Sequence, residues 1–461
     1  MSQVISQVMS PVKSQQHSVA IAGGGWAGLA AAVELCRAGH KVTLFESSPQ
    51  LGGRARSIQW NDRTLDNGQH LMLGAYQTML SLFDTLASAP DINIDISQLF
   101  EQVPHHLLML DARNGATVFD LQLPTFPAPL HLVFGILKTR KLSLLEKIQL
   151  LIRFNRLLNT PIKTDLSVSN WLNSANLPES YQKNILEPVC LAALTTHPHQ
   201  ASAKAFQTVL QQIFNAPASH TDLLIARTDL SSLFPALAEK FILHHGGEIR
   251  TRSKLSHLQA RNGKIESIYV NDKTYVFDQV VLATPPAVSA RLLNNIDEAS
   301  AICNQINQLA FEPVATLYLQ FSQAVSLPAC MTGMVNGVIE WVFERSIDGH
   351  GDILAAVFSA QGAYLKRPPE QLTAQVLKEL SHCITGLPEL IDSKLIIDKR
   401  AAFQCHPGVD QNRPGIHTPL KNLKLCGDYV YIEDNNQPGL PSTLEGALRS
   451  GVKCAQTLIS S

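Results

Sequence analysis

Short apolar runs alternate with helix-period stretches near both ends of the chain, and that alternation predicts α/β architecture. Val19–Ala22 is a continuous apolar run, the pattern of a parallel strand buried on both faces. Leu29–Ala38 is rich in Ala and Leu and reads as a helix that Gly39 stops; Lys41–Glu46 reads as a second strand ending in an acid. The pattern returns after Leu230. A helix around Pro235–Leu243 ends at Gly246-Gly247, Glu248–Leu258 reads as a strand, and Asn262-Gly263 marks a hairpin turn into Ile265–Val270. Tyr275–Ala283 closes in an apolar strand stopped by Pro285-Pro286, and Leu423–Cys426 is a last short buried strand before a helix that runs towards Thr457.

Between these stretches the pattern differs. Tyr76 to Leu224 is mainly helical in period, with strand-like segments at Leu107–Leu110 and Val118–Leu121. Val314–Phe321, Val338–Glu344, Ile353–Ser359 and Leu395–Phe403 predict a second sheet. Pro124 to Leu158 couples apolar bulk with Lys138, Arg140, Lys141, Lys147, Arg153 and Arg156 against a single acid, Glu146. Such a segment is either a helix lying in an anionic membrane surface or a domain-wall helix whose charges face water.

The first turn carries candidate chemistry. Gly23, Gly25 and Gly28 stand in G-x-G-x-x-G spacing between the first strand and helix, where a tight turn, a phosphate approach and helix–strand packing each need a missing side chain. The helix N-terminus offers unpaired N–H groups to a pyrophosphate, and Glu46 is placed to accept from an adenosine ribose, which disfavours NADP. Gly52-Gly53-Arg54 adds a second close backbone approach, with a guanidinium behind it that can pair with phosphate. Gly68 and His70 are as well explained as turn and core residues. Asp428, after Gly427 at the end of the last strand, can bond a sugar or polyol hydroxyl. Ser442, followed three residues on by Glu445, reads as a capping box for the final helix.

Composition narrows the picture. At 461 residues two domains are expected; a net charge of −1 gives no electrostatic argument for nucleic acid. Charged residues are 16% of the chain, below the usual quarter or so. The eight cysteines are scattered without a C-x-x-C pair, the usage of reduced thiols in a cytosolic protein. Residues 1–17 are polar and Ser/Gln-rich, a flexible leader with no signal-peptide pattern, and no apolar run is long enough to span a bilayer. His197 and His199 flank Pro198 with no supporting acid or cysteine, so no metal site is expected.

The glycine turn with Glu46, the Gly52-Gly53-Arg54 element, the VVLATPP strand and Gly427-Asp428…Thr443-Leu444-Glu445-Gly446-Ala447 together resemble the FAD-dependent amine oxidases and phytoene desaturases over nearly the whole chain. The resemblance implies a Rossmann-like FAD-binding domain in discontinuous pieces, 18–75, 225–290 and 415–461, with an inserted α+β substrate domain, 76–224 and 291–414. It places FAD against Gly23, Gly25, Gly28, Glu46, Gly53, Arg54, Gly427, Asp428, Ser442 and Thr443, with adenine read by the main chain at Leu255 and the last helix N-terminus facing the flavin ring. Glu187–Thr196, Ala201-Ser202-Ala203, Phe403, Pro407-Gly408 and Arg413-Pro414 resemble the squalene-associated branch, the hydroxysqualene dehydroxylases of hopanoid-making bacteria; Thr195 stands where that branch carries Asn. The branch implies replacement of the hydroxyl of hydroxysqualene by hydrogen from reduced FAD, giving squalene. It further implies a long apolar isoprenoid substrate, an unidentified electron donor, and a cytoplasmic protein peripherally associated with the inner membrane through 124–158. An allylic hydroxyl must be protonated to leave; the candidate acids are His70, Glu187 and His197, His70 first. A carotenoid desaturase, a flavin amine oxidase with Tyr429 and Tyr431 as its aromatics, and a flavin-free carrier of the same fold are the rival readings.

Overall fold

The computed structural model describes residues 16–90, 92, 95–127, 129–139, 143–432 and 439–460. The expected leader, apart from its last two residues, and Arg140 and Lys141 lie outside the described residues.

Apolar strands buried on both faces need a layer on each side, and the first sheet has them. Five parallel strands run in the order Glu248–Arg250, Lys41–Phe45, Ser18–Ala22, Gln279–Leu282, Leu423–Leu425. Val19, Ile21, Val42 and Leu44 on one face join the core of the first helix, Trp26–Arg37, and of the last, Leu444–Ile459. Ala20, Ala22, Phe45, Val280 and Leu282 on the other face join Leu255, Leu258, Ile265 and Ile268 of a three-stranded antiparallel meander. The meander's first turn has Asn262 at φ 53° and Gly263 at φ 70°, the pair of positive angles of a tight hairpin.

Glu248–Leu258 is not one strand. Glu248–Arg250 belongs to the parallel sheet and Leu255–Arg261 to the meander, because Arg252 N donates to Ser48 O (3.0 Å) and Ser253 N to Glu46 O (2.8 Å) and the chain turns there. The change of sheet is a tertiary event with no local turn signal.

A second, mixed sheet holds seven strands in the order Leu390–Phe403, Phe311–Phe321, Ile353–Ser359, Trp341–Glu344, Met331–Val335, His106–Asp111, Thr117–Gln122. Ala315, Leu317, Leu354 and Phe358 pack on Leu372, Val376 and Leu380 of the helix Pro369–Cys383. Met109, Trp341 and Val357 join a core with Leu150, Phe154 and Phe206 from the helices Leu144–Asn159 and Ala203–Phe214. The parallel strands fall within 18–75, 225–290 and 415–461, and the strands of the mixed sheet within 76–224 and 291–414.

Candidate active site and cofactor cleft

The cleft begins where the first strand meets the first helix. Gly28 sits so close to the turn that a Cβ there would lie 2.0 Å from Gly23 O, so the helix can start against the strand only with glycine. Gly25 caps that helix with no side-chain hydrogen bond and no acid in its first turn, leaving its opening N–H groups to an anion. The second glycine turn closes on the first: Gly52 N donates to Gly24 O at 2.8 Å, and a Cβ on Gly53 would stand 3.0 Å from the Gly25 Cα. The two turns thus form a backbone cradle that side chains would fill. Glu46, 9% exposed, reaches the same place: its carboxylate accepts from Gly24 N and Ser48 N, both at 2.7 Å. Glycine cradle, bare helix N-terminus and adjoining acid fit the diphosphate and ribose of a dinucleotide.

Residues from the far end of the chain complete the cleft. Arg54 Nη2 meets Asp428 Oδ1 at 2.6 Å, and its Nη1 donates to Ala401 O at 2.6 Å. Asp428 raises the Arg54 pKa. Burial pushes the Asp428 carboxyl up, but Arg54, the Ser442 hydroxyl and Arg413 outweigh it and hold the group below the usual carboxylate range. Ser442 Oγ also accepts from Phe403 N at 3.1 Å, and Gly427 N donates to Ser450 Oγ in the last helix at 2.8 Å.

Ser442 and Glu445 do not form the expected capping box. Thr443 is the N-cap, its hydroxyl accepting from Gly446 N at 3.0 Å. Glu445 points instead to another helix, Gln77–Ala87, and accepts from Thr78 N (2.8 Å) and Met79 N (3.0 Å). The S-x-x-E spacing has the right form, one residue out of register with the true helix start. Leu255, 6% exposed, opens the meander two residues after Ser253 meets Glu46, paired with Val270.

His70 and His197 are separated. His70 is half-buried; its Nδ1 donates to Gly68 O at 2.9 Å, which leaves Nε2 as the ring's other polar atom. Burial lowers its pKa, opposed first by the nearby Asp66 carboxylate. It lines a pocket with Met72, Leu224, Met331 and Phe343, and with the charged Asp66 and Arg345. His197 Nε2 donates to Gln361 O at 2.7 Å and its ring stacks on His199. It lies beside Glu312, whose pKa burial raises. Glu312 and Thr316, which holds the Gln69 N–H at 3.1 Å, share one strand. Four residues of strand rise put roughly 13 Å between those two positions. Glu187 is the half-buried first residue of the helix Glu187–Leu194.

Sequence reasoning missed the groups that fix the His70 turn. Arg345, 5% exposed, spans Asp66 (3.2 Å), Asp348, Gln69 Oε1 (3.1 Å) and Tyr318 Oη (3.3 Å), and Asp66 also accepts from Leu230 N at 2.8 Å. Arg413, also 5% exposed, donates to the carbonyls of Asp428, Tyr429 and Val430 and stacks on Phe403 at 4.7 Å. Each pairs with an aspartate three residues away, Asp348 and Asp410, but the other partners lie far off in sequence, and no local spacing announces those. Tyr429 is 1% exposed with its hydroxyl on Ser289 Oγ at 2.8 Å, and Tyr431 lies over Arg413. Among the described residues no group of His, Cys, Asp and Glu could hold a metal.

The family described as flavin containing amine oxidoreductase matches residues 26–459. Hydroxysqualene dehydroxylase of Sinorhizobium fredii is 27% identical, the match covering 96% of this chain and 98% of that protein. 15-cis-phytoene desaturase of Synechococcus elongatus is 25% identical, with 96% of each chain covered. The crystal structure of an oxidoreductase from Methanosarcina mazei superimposes with a TM-score of 0.72 at 17% identity, over 95% of this chain and all of that one, which is a likeness of fold. The protein is therefore an FAD-dependent oxidoreductase that belongs to the flavin-containing amine oxidoreductases.

Proposed function

We propose that the protein catalyses the reductive dehydroxylation of hydroxysqualene to squalene in hopanoid biosynthesis. The FAD domain of this reading is built from 18–75, 225–290 and 415–461. The similarity to hydroxysqualene dehydroxylase over 96% of the chain carries the assignment. Reduced FAD, when bound, would supply the hydride; the overall exchange takes one hydride and one proton and releases water. Gly25, Gly53 and the first helix N-terminus hold the diphosphate, Glu46 the ribose, and Arg54 with Asp428 the far side of the cleft. Thr443 starts the last helix, whose positive N-terminal end would favour negative charge on a reduced flavin held there.

His70 supplies the proton. Its Nδ1–H stays on Gly68 O while Nε2 carries the proton to the leaving hydroxyl, and Met72, Leu224, Met331 and Phe343 keep water from the reacting carbon. Glu187 and His197 are the weaker candidates: neither lines the pocket that His70 lines.

Desaturation of a polyene is the second reading, favoured by the 25% identity to phytoene desaturase. An amine oxidase is disfavoured, because Tyr429 is already engaged by Ser289. Anaerobic incubation of the reduced protein with hydroxysqualene, followed by product identification, tests the assignment. Squalene is the expected product; its absence, with conversion of phytoene under oxidising conditions, replaces it by the desaturase reading. Purified protein that stays colourless with added FAD would make the chain a carrier.

A further inference from the structure

Of the eleven large apolar side chains exposed among the described residues, eight lie between residues 126 and 152. Seven of the eight sit on two helices that are apolar on two opposite faces, and Phe126 precedes the first. In Leu130–Lys138, Leu132 and Ile136 are buried while Leu130, Phe134 and Leu137 face out, and the Phe126 ring meets Phe134 at a 48° tilt, centroids 4.9 Å apart. In Leu144–Asn159, Leu150, Phe154, Leu157 and Leu158 are buried while Leu144, Leu145, Ile148 and Ile152 face out. At about 100° per residue the outward set forms one stripe on the side away from the core. Water is a poor neighbour for this apolar surface, which a domain wall with only its charges outward would not present.

We infer that this face inserts into the surface of an anionic phospholipid bilayer. Lys147 lies along one edge of the stripe and Arg153 and Arg156 along the other, with Lys138 beside Leu137 at the end of the shorter helix. Glu146, the single acid, is spent in a capping box, its carboxylate accepting from Ser143 N at 2.8 Å. An apolar stripe edged by cations matches acyl chains beneath anionic headgroups. A second copy of the chain would set Lys138, Lys147, Arg153 and Arg156 against the same four, which a self-complementary interface does not tolerate. Among the described residues no helix is long and apolar enough to cross a membrane, so contact is from one side.

The lipid assignment deepens the proposed reading, whose substrate partitions into bilayers, yet its test needs no substrate. The flavin-loaded protein is floated with phosphatidylcholine vesicles, with or without phosphatidylglycerol. Binding to the anionic vesicles is expected to be at least about tenfold tighter. The double variant L145E/I148E changes two side chains 65% and 44% exposed. It is expected to lose at least about tenfold in binding while keeping its flavin absorbance and thermal midpoint. The pair K138E/R156E is expected to lose only the preference for anionic lipid, and it carries the test alone should L145E/I148E lose flavin. Wild-type protein that binds neither vesicle, or K138E/R156E that binds as the wild type does, overturns the inference. So does a dimer abolished by L145E/I148E in the absence of vesicle binding, which would give the face to a second copy.

Discussion

His70 and Thr195 show how far single positions constrain this protein. Burial lowers the His70 pKa from its ordinary 6.5. Only the imidazolium can give a proton, so turnover should rise as pH falls through that depressed pKa and fade above it. His70→Ala should cost about a hundredfold in kcat/KM and remove this limb of the pH profile; an unchanged profile would move the acid elsewhere. Thr195 ends the helix Glu187–Leu194 in the left-handed region, φ 50° and ψ 31°. A β-branched residue is strained there, whereas Asn tolerates it. Thr195→Asn should raise stability by about 0.5–1 kcal/mol, read from the urea midpoint.

At the scale of elements, helices here are closed by one another. The carboxylate of Glu445, on the last helix, holds two N–H groups at the start of Gln77–Ala87. Burial raises its pKa and those two N–H groups oppose the rise. Glu445→Gln keeps the shape and one acceptor and should cost about 1–2 kcal/mol in the denaturation midpoint. The last helix's own cap, Thr443, predicts no such loss for the Ser442 hydroxyl as a cap. Element patterns were legible wherever local period and punctuation agree, as at Asn262-Gly263 and in the strands Ile353–Ser359 and Gln279–Leu282. They failed at 251–254, where partners on a neighbouring strand, absent from any local window, turn the chain into a second sheet.

For the whole molecule, the last helix must lie against the first to bring Asp428 and Thr443 to the glycine cradle. A Cβ at Gly451 would stand 2.1 Å from Ala27 O. Gly451→Val should therefore push the two helices apart, cost about 1–3 kcal/mol, and lower the flavin-to-protein absorbance ratio of the purified protein. Gly415→Ala, where nothing lies within 4 Å, serves as the neutral control. The glycine spacing, Glu46 and the apolar strands were readable from the chain alone, because backbone geometry at a dinucleotide turn and burial on both faces of a strand are set by residues close in sequence. The tertiary structure alone decided that Arg54 meets Asp428, that Arg345 and Asp66 brace the His70 turn, and that the basic helices turn apolar side chains outward. Ion pairs between residues hundreds of positions apart, and the choice of which apolar face is covered, depend on what the rest of the fold brings alongside.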